Sequence, residues 1–282
     1  MPANYPPERH LLRDLRLTFE RGDNGDDADP QTSRAWMPVV PEVCTHDGAV
    51  RAGALATLVD VIGGGLAATA AHPGWIATAD LTLHVVRAAT SGSVEARARV
   101  AHKGRTTVVI EVDLYDDAGS RTGIATMSFA VLPRRDDNPD ITTSMNTGPS
   151  TMALPTSGMR ASMLEELELR VVDAARGELE APVGEWSLNS LGAMQGGAVA
   201  TVVDAAAESA ASAHAGTPLV VTDIQLTYLA LARVGPMRTR VDVLGTAPGA
   251  VTAHVETVDI GSGSRVTSLA SVVAPTSLRG AQ

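Results

Sequence analysis

The chain has 282 residues and a formal net charge of −10, from 32 Asp and Glu against 22 Lys and Arg, so it carries no basic surplus for a general nucleic-acid binder. Hydrophobic residues at 44% and charged residues at 19% exclude a disordered chain, and the length suits two domains of about 140 residues. Aromatics at 3% leave Val, Leu, Ile and Ala to build the cores, and Cys44 as the only cysteine excludes an intramolecular disulfide, which suits a reducing cytoplasm.

The first ten residues, MPANYPPERH, have neither the apolar run nor the cleavage site of a signal peptide. Residues 16–20 and 34–40 read as strands around an acidic loop, DNGDDADP. Residues 53–71 are apolar, with Ala54, Leu55, Leu58, Val59 and Ile62 at helical spacing. Asp60 inside this stretch points to a buried helix rather than a membrane span. The glycines at 63–65 each cost a helix about 1 kcal/mol relative to alanine, and they read as a site of close packing or a helix end. Strand patterns follow at 77–92, in SVEARARV and in TTVVIEVDLYD, separated by Gly-containing turns. Residues 134–158, rich in Pro, Ser, Thr and Asn, read as a linker. A short helix at 162–167 opens the second half. Residues 168–173 and 185–188 read as strands flanking the turn ARGELEAPVG, and residues 196–213 as a second buried helix, with Asp204 and Glu208 inside it. The strand patterns VVTDIQLTYLALARVG, MRTRVDVLG and AVTAHVETVDI close the chain.

The two halves repeat. GALATLVD at 53–60 returns as GAVATVVD at 197–204, with six of eight positions identical and an offset of 144 residues. Each half reads as strands, a helix and a meander of strands. The expected architecture is α+β: two domains, 1–133 and 159–282, joined by the linker 134–158. Each is an antiparallel sheet wrapped around a central helix, and the two pair into one continuous sheet.

Familiar catalytic motifs are missing. No GxSxG, GxxxxGK[ST] or GxGxxG occurs, and the seven histidines form no HxxxH or HExxH pattern, so no metal site is expected.

A Gly-Gly start to a long central helix, an Asp within it and a meander after it resemble the hotdog fold of acyl-CoA thioesterases of the phenylacetate-pathway and thioesterase-superfamily type. The resemblance covers residues 34–133 and 168–275. The family's signature is Asn, then His-Gly-Gly six residues on, an Asp nine residues after that His, and a Ser or Thr on the next strand. The second repeat carries Asn189, Gln195, Gly196, Gly197 and Asp204, with Gln195 in place of His and Thr222 or Val221 at the hydroxyl position. The first repeat keeps Asp60 and Thr78 but has Thr45 for Asn and Arg51-Ala52-Gly53 for His-Gly-Gly.

The resemblance implies sites shared between two hotdog units. One composite site joins Asn189, Gln195 and Gly196 to Asp60 and Thr78. The opposite one joins Thr45, Arg51 and Ala52 to Asp204 and is degraded, so one active site per chain is expected. In the first, the Gly196 N–H faces the thioester oxygen, Asn189 supports it, Asp60 is general base or nucleophile, Thr78 orients water and Gln195 positions. The resemblance further implies an acyl-CoA substrate and no resident cofactor; the acidic residues inside both apolar helices speak against membrane insertion, and uncovered sheet edges and faces invite association into homo-oligomers. Simpler roles stand beside these. Either Asp can be structural, Asn189 can close a turn, Asp204 and Glu208 can be two solvated charges four residues apart, and Arg51 can be a surface charge or a ligand anchor. Arg97, Arg99, Lys103 and Arg105 either meet the phosphates of coenzyme A or form an ordinary basic strand face. Two other functions remain open: a non-catalytic acyl-CoA-binding module, and a hydratase or dehydratase on acyl thioesters. The latter needs a His near the helix start, where Arg51 and Gln195 stand.

Overall fold

A computed structural model describes residues 5–21, 31–134, 149–247 and 249–276. The first repeat begins with a short helix α1 (Leu11–Asp14), capped by His10, whose Nδ1 accepts the Leu12 N–H. Strands β1 (Thr18–Arg21) and β2 (Thr32–Pro38) follow, then helix α2 (Ala52–Ala71) and the meander β3 (Trp75–Val85), β4 (Ser93–Lys103), β5 (Thr107–Tyr115) and β6 (Arg121–Leu132). After β7 (Ser150–Thr151), the second repeat runs α3 (Met163–Glu166), β8 (Arg170–Asp173), β9 (Glu178–Ala181), α4 (Gly196–Ala215), β10 (Asp223–Tyr228), β11 (Met237–Ala247), β12 (Ala250–Asp259) and β13 (Arg265–Pro275).

Strand alternation decides which face meets the helices. On β5, Val108, Ile110, Val112 and Leu114 are buried, while the residues between them are only partly so. Helix α2 is apolar almost all round because it is covered on both sides, by its own sheet and by α4. The strands form one antiparallel sheet in the order β7-β1-β2-β4-β5-β6-β3-β10-β13-β12-β11-β9-β8. The repeats join where β3 pairs with β10, with Leu83 opposite Ile224 and Leu81 opposite Leu226. A hydrogen bond between His84 Nδ1 and Asp223 at 2.7 Å and another between Thr227 and Asp80 at 2.7 Å flank that seam.

Two local readings change. Residues 185–188 are not a strand: Glu185–Ser187 is a single 3-10 turn, matched in the first repeat by Pro41–Val43. The hairpin closes earlier, because Gly177 takes a φ of +61° beside the Ala206 carbonyl and sends the chain back as β9. Within the linker 134–158, Ser150–Thr151 pair with β1 and extend the sheet edge, and residues 135–148 lie outside the described residues. The short helix at the start of the second repeat carries a capping box, Ser162 with Glu165.

The two central helices touch through glycine. A Cβ on Gly53 would lie 2.5 Å from the Thr201 Cα, and one on Gly197 would lie 2.4 Å from the Thr57 Cα. Backbone cannot yield as a flexible side chain can. Gly53→Ala and Gly197→Ala are therefore each expected to lower the unfolding free energy by about 2–3 kcal/mol, despite alanine's better helix propensity, as read from urea denaturation midpoints.

Candidate active site

Helix α4 begins at Gln195, whose Oε1 caps the Ala198 N–H at 3.1 Å. Its Nε2 donates across the repeat boundary to Asp60 Oδ2 at 2.7 Å, and the Gly197 N–H donates to the same oxygen at 3.1 Å. The Thr78 hydroxyl donates to Asp60 Oδ1 at 3.1 Å. Alternation on β3 buries Leu81, Leu83 and Val85, which by itself would turn Thr78 outward. A bulge between Thr78 and Asp80 shifts the register and brings the hydroxyl to Asp60. Gly196 leaves room for this carboxylate, since a Cβ there would sit 2.9 Å from Asp60 Oδ2. Among the described residues nothing accepts the Gly196 N–H, which stands at the positive end of the α4 dipole.

Burial raises the Asp60 carboxyl from 3.8 to about 6, and the Thr78 and Gly197 hydrogen bonds keep it from rising further. Two tyrosines line the same place, of three in the chain. Tyr228 donates to the Gly196 carbonyl at 2.9 Å, and Tyr5 donates to the Leu188 carbonyl at 3.2 Å. Both phenols are pushed up, by burial first and then by the charge of Asp60. His10 Nε2 also meets the Leu188 carbonyl, at 2.7 Å. Because Nδ1 accepts from Leu12, Nε2 carries the proton. The first repeat's N-terminal segment thus packs onto the second repeat, held further by Arg9 to Glu166 and by Trp186 to Asp14.

Asp60, Thr78, Gln195 and Gly196 therefore come together. Asn189 does something else: its Oδ1 accepts the N–H groups of Leu191 and Ala193, closing its own loop. Asp47 does the same in the first repeat, accepting from Thr45 and Ala49. Arg97 and Arg99 alternate outward on β4. Arg97 pairs with Glu95 and lies over the Tyr115 ring, and Arg99 pairs with Glu111. Lys103 and Arg105 are exposed at the β4–β5 turn, where Thr106 accepts the Val131 N–H. Neighbouring Ala130 pairs with Ala77, the residue before Thr78. Tyr5, His10, Tyr228 and the Gly197 N–H escape sequence reasoning. Tyr228 carried one usable sign, its place on the strand after the second Asp.

The pseudo-symmetric site is built differently. Asp204 Oδ2 accepts the Gly53 N–H at 3.1 Å, as Asp60 accepts that of Gly197. Arg51 stands where Gln195 does, 4% exposed, with Nε 3.6 Å from Asp204 and Nη2 2.9 Å from Glu208. Asp204 is fully buried and Glu208 partly so, and the expectation of two solvated charges, or of a surface Arg51, gives way to a paired triad with Arg51 and Asp204 inside. Burial raises the Asp204 pKa against the pull of Arg51. Burial and the charge of Asp204 raise that of Glu208. The Thr222 hydroxyl turns to Asp223 at 2.5 Å.

The raised Asp60 pKa has a thermodynamic consequence. Between pH 4 and 6 the folded chain holds a proton that the unfolded chain has released. Stability therefore falls as pH rises through that window, by about 3 kcal/mol in all. Asp60→Asn is expected to remove this contribution and leave that of Asp204 and Glu208, so that its stability gains on wild type from pH 4 to 7 in denaturation midpoints.

The model of the Thioesterase superfamily matches residues 47–122 and 191–264, one stretch in each repeat. The whole architecture is also similar to solved structures. A proposed thioesterase from Novosphingobium aromaticivorans DSM 12444 has 18% identity over 89% of this chain and 97% of its own, with a TM-score of 0.61. A TesB protein from Mycobacterium avium subspecies paratuberculosis has 12% identity over 91% and 95%, with a TM-score of 0.59. An acyl-ACP thioesterase from Bacteroides thetaiotaomicron VPI-5482 has 12% identity over 86% and 97%, with a TM-score of 0.58. With the superfamily pattern present in both halves and the tandem sheet-and-helix units around it, the chain belongs to the Thioesterase superfamily, as a thioester hydrolase of double-hotdog form.

Proposed function

We propose that the chain hydrolyses acyl-CoA thioesters to the free acid and coenzyme A, at one composite site formed by Asp60 and Thr78 with Gln195 and Gly196. One observation carries this reading. A buried carboxylate of the first repeat sits at the helix N-terminus of the second, beside a Gly196 N–H that has no acceptor among the described residues. The thioester carbonyl accepts that N–H, and the helix dipole steadies the oxyanion that develops. Asp60, ionised above about pH 6, takes a proton from a water that Thr78 orients, and the water oxygen attacks the carbonyl carbon. When the tetrahedral intermediate collapses, the C–S bond breaks and Asp60 returns the proton to the leaving thiolate. Both Asp60 oxygens already accept hydrogen bonds. That blunts direct attack by the carboxylate and favours the water route over a mixed anhydride.

Lys103 and Arg105 are the cations proposed to meet the phosphates of coenzyme A, because their turn lies one strand from Ala77 while Arg97 and Arg99 are held by carboxylates. A hydratase reading gains nothing from the site, where no His contacts Asp60 among the described residues.

Thiol release from acyl-CoAs of graded chain length tests the proposal. Asp60→Asn is expected to lose about 10²–10⁴-fold in kcat, and Asp204→Asn, checked for folding, to keep most of its turnover. The reverse pattern, or no turnover by wild type on any thioester, would overturn it. The pH profile of kcat/KM is expected to rise through about 6 and level off. Gln195→Ala removes a donor to the carboxylate and is expected to move that midpoint upward.

A further inference from the structure

The degraded site is not filled in. A cavity of about 480 Å³ opens beside Arg51, within the size range of ligand pockets. Val50, Val85, Leu219, Val221 and Pro275 give it apolar walls. Arg51 lines it as a buried guanidinium, with Nε and Nη2 turned to Asp204 and Glu208 and Nη1 without an acceptor. Buried N–H groups of this kind almost always find a partner. The charge of Arg51 is already matched by two carboxylates, so the group lacks a hydrogen-bond acceptor rather than a counter-ion. A neutral carbonyl oxygen carried on an aliphatic chain suits both the open donor and the walls.

We propose that this second pocket binds an acyl chain, its carbonyl oxygen on Arg51, and holds it without hydrolysis. Turnover is disfavoured here by two contacts that the Asp60 site lacks, the Arg51 ion pair and the Thr222–Asp223 hydrogen bond. Asp204 Oδ2 is tied to the Gly53 N–H and faces Arg51, and the Thr222 hydroxyl is tied to Asp223. The Asp204 charge is met by Arg51 rather than left without a counter-charge as at Asp60, and Thr222, turned to Asp223, does not stand in for Thr78. The choice of an acyl ligand rests on the thioesterase reading above, whereas the pocket and its open donor do not. The carbonyl has two sources, the thioester and the released acid.

The test titrates octanoyl-CoA, and separately octanoate, into the full-length Asp60→Asn chain by calorimetry, so that hydrolysis does not consume the ligand. Besides binding at the composite site, we expect a second binding event that disappears in Arg51→Met and also in Ala88→Trp. Ala88 is an exposed lining residue away from the triad, so its variant keeps the test intact if Arg51→Met misfolds. Loss of the octanoyl-CoA event assigns the pocket to the thioester, and loss of an octanoate event assigns it to the acid. If neither substitution removes a binding event with either probe, the proposal is overturned. Failure of the hydrolysis reading shows separately, as absent wild-type turnover.

Discussion

Each central helix begins at a carboxylate supplied by the other. Asp60 of α2 accepts the Gly197 N–H of α4, and Asp204 of α4 accepts the Gly53 N–H of α2. A helix N-terminus carries unpaired N–H groups and a partial positive charge, so a buried carboxylate there answers both needs. The exchange works only at very short range. Glycine at 53 and 197 lets each helix start lie against the backbone of the other, at Thr201 and Thr57. While the β3–β10 pairing makes the sheet continuous, the location of both sites follows from this crossing. It also explains why an Asp persists in both repeats whatever its chemistry.

On that symmetric frame, the residue ahead of the helix sets the difference. Gln195 is neutral: it caps α4 with one end and donates to Asp60 with the other. The carboxylate stays without a counter-charge, and burial holds its pKa near 6. Arg51 in the matching place brings a full positive charge to Asp204 and Glu208. The first arrangement leaves a carboxylate without a counter-charge that ionises just below neutral pH, whereas the second holds its carboxylates against a guanidinium.

The N-terminal segment adds a further asymmetry. Tyr5 and His10 converge on the Leu188 carbonyl of the second repeat, next to the loop that Asn189 closes. The segment belongs to the first repeat by sequence and to the face of the second by contact. It ties the repeats together away from the β3–β10 seam, and it brings an aromatic ring to the walls around Asp60.

Local pattern was enough to read the duplication at an offset of 144 residues, the two apolar helices and the strand meanders, while the meeting of Asp60, Gln195 and Thr78 across the repeats came from the family resemblance. The duplication, helices and strands depend on periodicity and spacing, which a chain carries in its own order. What the sequence did not reveal depends on groups distant along the chain. Thr78 faces Asp60 because of a one-residue bulge that alternation does not announce. Asn189 takes the simpler of its two expected roles, closing a turn, because Leu191 and Ala193 present their N–H groups to it. Arg51 and Glu208 are paired although 157 residues separate them. Tyr5 lies beside a carbonyl 183 residues away. Helix and strand follow from neighbours within a few positions. The pKa of Asp60 and the pairing of Asp204 were set by which side chains and helix ends the fold brought into contact, and only the tertiary structure decided that.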